Sequence, residues 1–479
     1  MSLHLENAFE NDICSHLGKH GWRYDAPKGK EHAAGYNTPH ALYPEDLAEW
    51  LEKTQPESWA SIQKAQGSNA VESLMARVRK GLATYGTLEL LRAGLDVVGV
   101  KAKLRFAQFK PAMGMNEHLQ TAYDANILRV VRQVRTNHND VLDVVLFLNG
   151  LPVATCELKT DFTQSIKDAM DQYRFDRVPK PAGKAQAEPI LSFPEGALVH
   201  FAVSNSEVMM TTKLQGAKTY FLPFNLGNDG GAGNPLNPKG HQTAYLWEQV
   251  WERHSWLDII GKYLIAQRDK KHQLKSVIFP RYHQLDATRK LVQAIREEGP
   301  GQKYLIQHSA GSGKTNSIAW TAHFLSTLHD ADDNKMFSTI LVVSDRTVLD
   351  SQLQEAIYSF ERTKGLVASI TGNQQSKSKE LAEALEADKR IVVCTIQTFP
   401  FALKAVQELS ATQNKRFAVI ADEAHSSQSG EAASKLKELL NAQELSDLND
   451  GGEVSTEDLL VAQMAGRASD TGITYCLLY

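Results

Sequence analysis

Residues 304–315 read Tyr-Leu-Ile-Gln-His-Ser-Ala-Gly-Ser-Gly-Lys-Thr, a short apolar run that breaks into a glycine-bearing loop closed by Lys314 and Thr315. The order strand, loop, helix start makes this a phosphate-binding loop. Gly311 and Gly313, with Ser312 between them, allow successive backbone N–H groups to close around an anion at a helix N-terminus. Lys314 is then placed to reach the β- and γ-phosphates, and the Thr315 hydroxyl to ligate Mg²⁺. The pattern departs from the usual loop only at its first position, where His308 stands in place of glycine. The expected ligand is ATP with Mg²⁺.

Short apolar runs recur beyond this loop: ILVV at 340–343, IVVC at 391–394 and FAVIA at 417–421. Amphipathic segments such as SIAWTAHFLSTL lie between them, which is how a parallel sheet with crossover helices reads in sequence. FAVIA runs directly into Asp422-Glu423. At a strand end, Asp422 is placed to hold the magnesium and Glu423 to orient the attacking water.

The first half has a different texture. The segment VVLFLNGLPVATCELK holds two apolar runs around Asn149-Gly150, a strong hairpin signal. Asp143 opens the outgoing strand, and Glu157 and Lys159 end the return strand on one face, because side chains alternate. Two carboxylates on one face can hold Mg²⁺, and the adjacent lysine can position a water or stabilise charge. Pleat parity adds a condition. A regular two-residue turn would set Asp143 opposite Cys156, so Asp143 and Glu157 share a face only if the loop is odd, most simply Asn149-Gly150-Leu151, or if the hairpin contains a bulge. This half reads as α+β. The Gly/Asn/Pro-rich run at 225–240 is expected to be a long surface loop, and the basic stretch RDKKHQLK at 268–275 a linker, which sets the domain boundary near residue 270.

Composition narrows the class. With 42% hydrophobic and 23% charged residues in 479, the chain is globular and long enough for two or three domains. No apolar run approaches the roughly 20 residues of a membrane span, and the start MSLHLENAFEND is unlike a signal peptide, so no membrane partner and a cytoplasmic location are expected. The four cysteines lie far apart and form no CxxC pair, which excludes a zinc site or disulfide framework of that type. Net charge is −4, but residues 77–135 carry eleven basic against four acidic residues, the one stretch whose charge suits DNA.

These motifs resemble two known families joined in one chain. The second half resembles the first RecA-like lobe of superfamily 2 helicases. Gln284 matches the upstream glutamine that recognises adenine there, and residues 345–352 and 395–399 look like two further motifs of that lobe. Asp143, Glu157 and Lys159 match the Asp…Glu-x-Lys pattern of PD-(D/E)xK nucleases. Segments 126–159, 213–235 and FPRYHQLDATRKL together resemble the restriction subunit of type I restriction-modification enzymes. The resemblance implies an α+β PD-(D/E)xK nuclease domain over residues 1–270, followed by an α/β RecA-like P-loop domain with a parallel sheet over residues 271–479. It also implies Mg²⁺-dependent cleavage of double-stranded DNA and ATP-driven translocation. The implied partners are modification and specificity subunits, through which alone S-adenosylmethionine would enter.

Two more site residues follow from that resemblance: Glu10, where related nucleases place a helical carboxylate near the metal, and Gln172, from a Gln-x-x-x-Tyr helix. Asp176 stands where that tyrosine is expected, and Tyr173 is the neighbouring alternative. The sequence closes on GITYCLLY, so no second RecA-like lobe is expected, and with it slow ATP turnover. The rival readings are a regulatory DNA- and ATP-binding fragment without chemistry, and a helicase-related ATPase whose first domain only docks partners.

Overall fold

The structure, a computed structural model, describes residues 6–26, 33–111, 116–162, 164–269, 271, 273–309, 311–344, 353–358, 365–370, 377–387, 389–395, 402, 405–406, 409, 415–422 and 473–478. The chain forms two compact units, Met1–His283 and Gln284–Tyr479.

The first unit opens with helices α1 (Glu6–Lys19), α2 (Pro44–Thr54), α3 (Pro56–Gln66), α4 (Ala70–Tyr85), α5 (Thr87–Ala93) and α6 (Glu117–Asp124). Strands β1 (Leu128–Arg135), β2 (Val141–Leu148) and β3 (Leu151–Leu158) follow, then α7 (Ile166–Asp171), β4 (Val199–Val203), β5 (Val208–Thr211) and β6 (Leu222–Pro223). The strands make one six-stranded mixed sheet in chain order. Every pairing is antiparallel except β3 with β4, whose parallel alignment requires the crossover that α7 supplies. α1 buries Phe9, Ile13, Cys14 and Leu17 at helical spacing and packs against β1 and β3.

The β2–β3 hairpin satisfies the parity condition by the second of its two routes. Leu148 pairs with Leu151 across a two-residue turn in which Asn149 and Gly150 both have positive φ, 49° and 86°. Register then shifts: Leu146 pairs with Ala154 and Phe147 with Pro152, leaving Val153 as a bulge. Below it Val144 faces Cys156, so one step further Asp143 comes opposite Glu157. The three-residue loop, the simpler expectation, is not used. Asn149 explains why: its Oδ1 accepts from Ile127 N at 2.7 Å and its Nδ2 donates to Phe106 O and Asn126 Oδ1, which clamps the tight turn to the start of β1.

Residues 225–240 form a loop with turns, as expected. After it come α8 (Arg253–Asp258) and a small hairpin of β7 (Ile265–Arg268) and β8 (Leu274–Ile278). The basic stretch 268–275 is therefore no linker: Arg268 ends β7 and Leu274 begins β8, paired with it. Asp269 Oδ1 accepts from Lys271 N and Gln273 N, and Ile265 and Val277 are buried, so local turn chemistry and two apolar anchors outweigh the polar composition.

The second unit takes in nearly all of α9 (Tyr282–Glu298), then β9 (Lys303–Ile306), α10 (Lys314–Ser326), β10 (Thr339–Ser344), β11 (Val367–Ser369), β12 (Ile391–Thr395), β13 (Phe417–Asp422) and β14 (Ile473–Leu478). All strands are parallel, in the order β11-β12-β10-β13-β14-β9. Both faces are covered. Ile340, Val342 and Ile420 pack with α9 and α10 on one side, while Leu341, Val343 and Val419 pack on the other with Leu381 and Leu385 of the helix Lys377–Glu386. That is why these strands read as continuous apolar runs in sequence.

Candidate functional site

In the first unit the acidic and basic groups converge where α1 crosses the ends of β1, β2 and β3. Asp143 Oδ2 accepts from Leu158 N at 2.8 Å, which ties the two strands of the hairpin at the level of the site. Glu157 is fully buried, and its Oε1 accepts from Arg177 Nε at 3.2 Å. Lys159 Nζ donates to Glu6 Oε1 at 2.7 Å and to Leu158 O at 2.9 Å. One helical turn beyond Glu6, Glu10 accepts from Gln133 Nε2 at 2.7 Å and is ion-paired with Arg132 at 2.8 Å. Sequence reasoning placed Asp143, Glu157, Lys159 and Glu10; the structure brings all four together.

Burial sets the electrostatics. It pushes the Glu10 carboxyl up to about 7, against the opposing pull of Arg132. Burial, reinforced by the Asp143 charge beside it, drives Glu157 well above the ordinary carboxylate range, and Asp143 is raised by burial as well. Carboxylates crowded away from water bind a proton or a cation more strongly than exposed ones.

Gln172 begins a π-turn, Gln172–Asp176, that extends α7. Its Oε1 is buried without a hydrogen-bond partner, as is Glu157 Oε2. The carboxylates of Asp143 and Glu157, the latter with one oxygen unpartnered, are of the chemistry a hard divalent cation such as Mg²⁺ takes, since it needs only one or two carboxylates and keeps several waters. Among the described residues no group of three or more His, Cys, Asp or Glu is placed to hold a metal ion. Tyr173, the neighbouring alternative to the missing tyrosine, is buried, with its hydroxyl 2.8 Å from Thr155 Oγ1. Asp176 is exposed.

Three participants were not anticipated: Arg177, Arg132 and Gln133. None has a local signature. The π-turn carries Arg177 to Glu157, a shift no helical spacing would suggest. Gln133 lies within β1 at a φ of 53°, a left-handed backbone that a non-glycine residue rarely adopts, with its amide on Glu10. The basic stretch 77–135 divides between inside and outside: Arg79 pairs with Glu195, Arg129 with Asp25 and Asp46, and Arg92 donates to Ile260 O and Leu264 O. Lys80, Lys101, Lys103, Arg105, Lys110 and Arg135 are exposed.

In the second unit β9 leads into the loop ahead of α10, whose first residue is Lys314. Gly311 and Gly313 have φ of 72° and 87°, and a Cβ on Gly313 would lie 2.7 Å from Gln284 Nε2. Gln284 is buried and donates to Ser312 O and Gly313 O, bracing the loop from α9. Asp422 ends β13 at the same edge, separated from β9 by β14. Glu423, Ala310, residues 345–352 and residues 396–399 lie outside the described residues, as does the side chain of Asp422.

Comparison with known proteins agrees with both halves. Residues 4–219 match the family described as type I restriction enzyme R protein N terminus, and residues 283–446 match SWI2/SNF2 ATPase. The type I restriction enzyme HindI endonuclease subunit of Haemophilus influenzae is 22% identical over 89% of this chain and 39% of its own length. A Methanocaldococcus jannaschii protein described as a type I restriction enzyme MjaVIIIP endonuclease subunit is 23% identical over 66% of this chain and 30% of its own. The chain thus spans roughly a third of the length of these relatives. A solved fragment of an HsdR subunit from Vibrio vulnificus aligns over 73% of this chain and 50% of that one, at 13% identity and a TM-score of 0.24.

Proposed function

This chain is related to the endonuclease subunits of type I restriction enzymes, and from that premise we propose that its first unit cleaves double-stranded DNA with Mg²⁺ while its second binds ATP for a DNA-translocating motor. The observation that carries the reading is the bulged β2–β3 hairpin, which sets Asp143 opposite Glu157 beneath Glu10 of α1. Such a constellation serves phosphodiester hydrolysis: a water attacks phosphorus, and the bond to the leaving oxygen breaks as that oxygen takes up a proton. Asp143 and Glu157, with Glu10 and Gln172 as further candidates, would hold Mg²⁺, which when bound would polarise the phosphate and make a water more acidic. Lys159, held in place by Glu6, positions the water or stabilises the charge that develops.

In the second unit the backbone of Gly311, Ser312 and Gly313 with Lys314 cradles the phosphates, and Thr315 and Asp422 bind the nucleotide's Mg²⁺. Glu423 orients water, and Gln284 faces adenine in addition to bracing the loop. The working assembly includes modification and specificity subunits, which bring S-adenosylmethionine and recognition of the DNA site.

The test is plasmid cleavage by the full chain in Mg²⁺. Asp143→Ala, Glu157→Ala and Lys159→Ala should each lower it by about a hundredfold or more, the scale of losing one positioned catalytic group. Gln172→Ala should impair it more mildly. Undiminished cutting by the Glu157 variant would remove this hairpin as the active site.

A further inference from the structure

Arg177 lies outside every motif of the sequence, yet it is the only residue seen to hydrogen-bond the Glu157 carboxylate among the described contacts. Its position is built by three elements. Its backbone N–H donates to Gln172 O at 2.7 Å, closing the π-turn after α7. Its Nη2 donates to Val141 O at 2.8 Å, at the start of the strand that carries Asp143. Its Nε reaches Glu157 Oε1, and Asp140 lies 3.9 Å from Nη1. The guanidinium is mostly shielded, with 14% of its side chain exposed.

The consequence falls on the other carboxylate oxygen. With Oε1 held by Arg177, Oε2 is left buried with no hydrogen-bond partner. We propose that Arg177 is a positioning residue of the nuclease site: it fixes Glu157 through Oε1 so that Oε2 alone is presented to the divalent cation. This rests on the cleavage reading above and assigns Arg177 a role within it. Arginine is suited to the task because its planar fork holds two acceptors at once, Glu157 Oε1 and Val141 O, and so locks the carboxylate to the backbone of β2. A lysine offers one compact ammonium and cannot span both with the same geometry. Partners that orient a metal ligand typically contribute about ten- to hundredfold in metal affinity or activity when removed.

The experiment compares wild type, Arg177→Lys, Arg177→Met and Glu157→Ala as full chains. Mn²⁺ binding is followed by electron paramagnetic resonance, and plasmid cleavage is followed as a function of Mg²⁺ and of DNA concentration. Arg177→Met should weaken Mn²⁺ binding by about ten- to hundredfold and raise the Mg²⁺ needed for half-maximal cleavage, with KM for DNA little changed. Arg177→Lys keeps a buried cation against Glu157, so it guards against simple unfolding, and should fall between the two. Mn²⁺ binding and Mg²⁺ dependence equal to wild type in the folded Lys variant overturn the role of Arg177 alone. A rise confined to KM for DNA also overturns it, since that marks a DNA contact. A wild type that binds no Mn²⁺, or a Glu157→Ala chain that binds as wild type does, overturns the cleavage reading and this one with it.

Discussion

Glu10 occupies a place in the buried stripe of α1 that its neighbours Phe9, Ile13 and Leu17 would lead one to expect of an apolar residue. It is 2% exposed, and burial raises its carboxyl from the ordinary value of 4.5 to about 7. The sign of the effect on stability follows. Between those two values the folded chain holds the proton and the unfolded chain has lost it, so stability falls as pH rises through that window. Melting temperature should therefore decline from pH 5 to pH 7.5, and Glu10→Gln should flatten the decline. An unchanged slope in that variant would show that Glu10 is ionised without cost. Glu10 was singled out from the resemblance to related nucleases and not from its burial; Arg132 and Gln133, which meet it from β1, were not singled out, because only the sheet brings them there.

Among the elements, the β2–β3 hairpin converts local turn chemistry into site geometry. Asn149-Gly150 is a strong sequence signal for a two-residue turn with both φ positive, and that is what forms. Parity then demanded an extra residue somewhere in the hairpin. Its location at Val153 depends on how β3 meets β4 and the helices around it, and no local pattern announces that. Gly150 is constrained twice over: φ is 86°, and an added Cβ would lie 2.4 Å from Tyr43 O and 3.1 Å from Leu47 N. Gly150→Ala should destabilise the first unit by at least about 1–3 kcal/mol, the cost of a strained backbone before any clash is counted. Urea unfolding followed by tryptophan fluorescence measures it; a midpoint equal to wild type would mean that the turn and α2 can separate freely. Gln284 shows the limit of motif reading in the same way. The motif suggests adenine, while its amide is seen bracing the carbonyls of Ser312 and Gly313.

At the scale of the molecule, each unit carries its own site, so Lys314→Ala should weaken ATP binding without altering Mn²⁺ binding at Glu157, and Asp143→Ala the reverse. The parallel order of the second sheet was legible in its apolar runs. The insertion of β14 between β9 and β13, the strands leading to Lys314 and ending at Asp422, rests on pairing across a long sequence separation. β14 buries Ile473, Tyr475, Cys476 and Leu478, and the Thr474 hydroxyl accepts from Gly301 N at 2.8 Å. Burying side chains of this kind contributes about 1.5–3 kcal/mol each at most, so the strand represents several kcal/mol before its two ladders of backbone bonds are added. A domain is stable by only about 5–15 kcal/mol in total. Removing residues 473–479 should therefore unfold the second unit and abolish binding of a fluorescent ATP analogue. Mn²⁺ binding at Glu157 should survive, because none of its ligands lies beyond residue 283. Calorimetry supplies the decisive readout: the shortened chain should lose the transition that ATP shifts upward in the intact chain and keep the other. If the shortened chain still binds the nucleotide and shows both transitions, β14 is not what joins the nucleotide loop to the strand of Asp422.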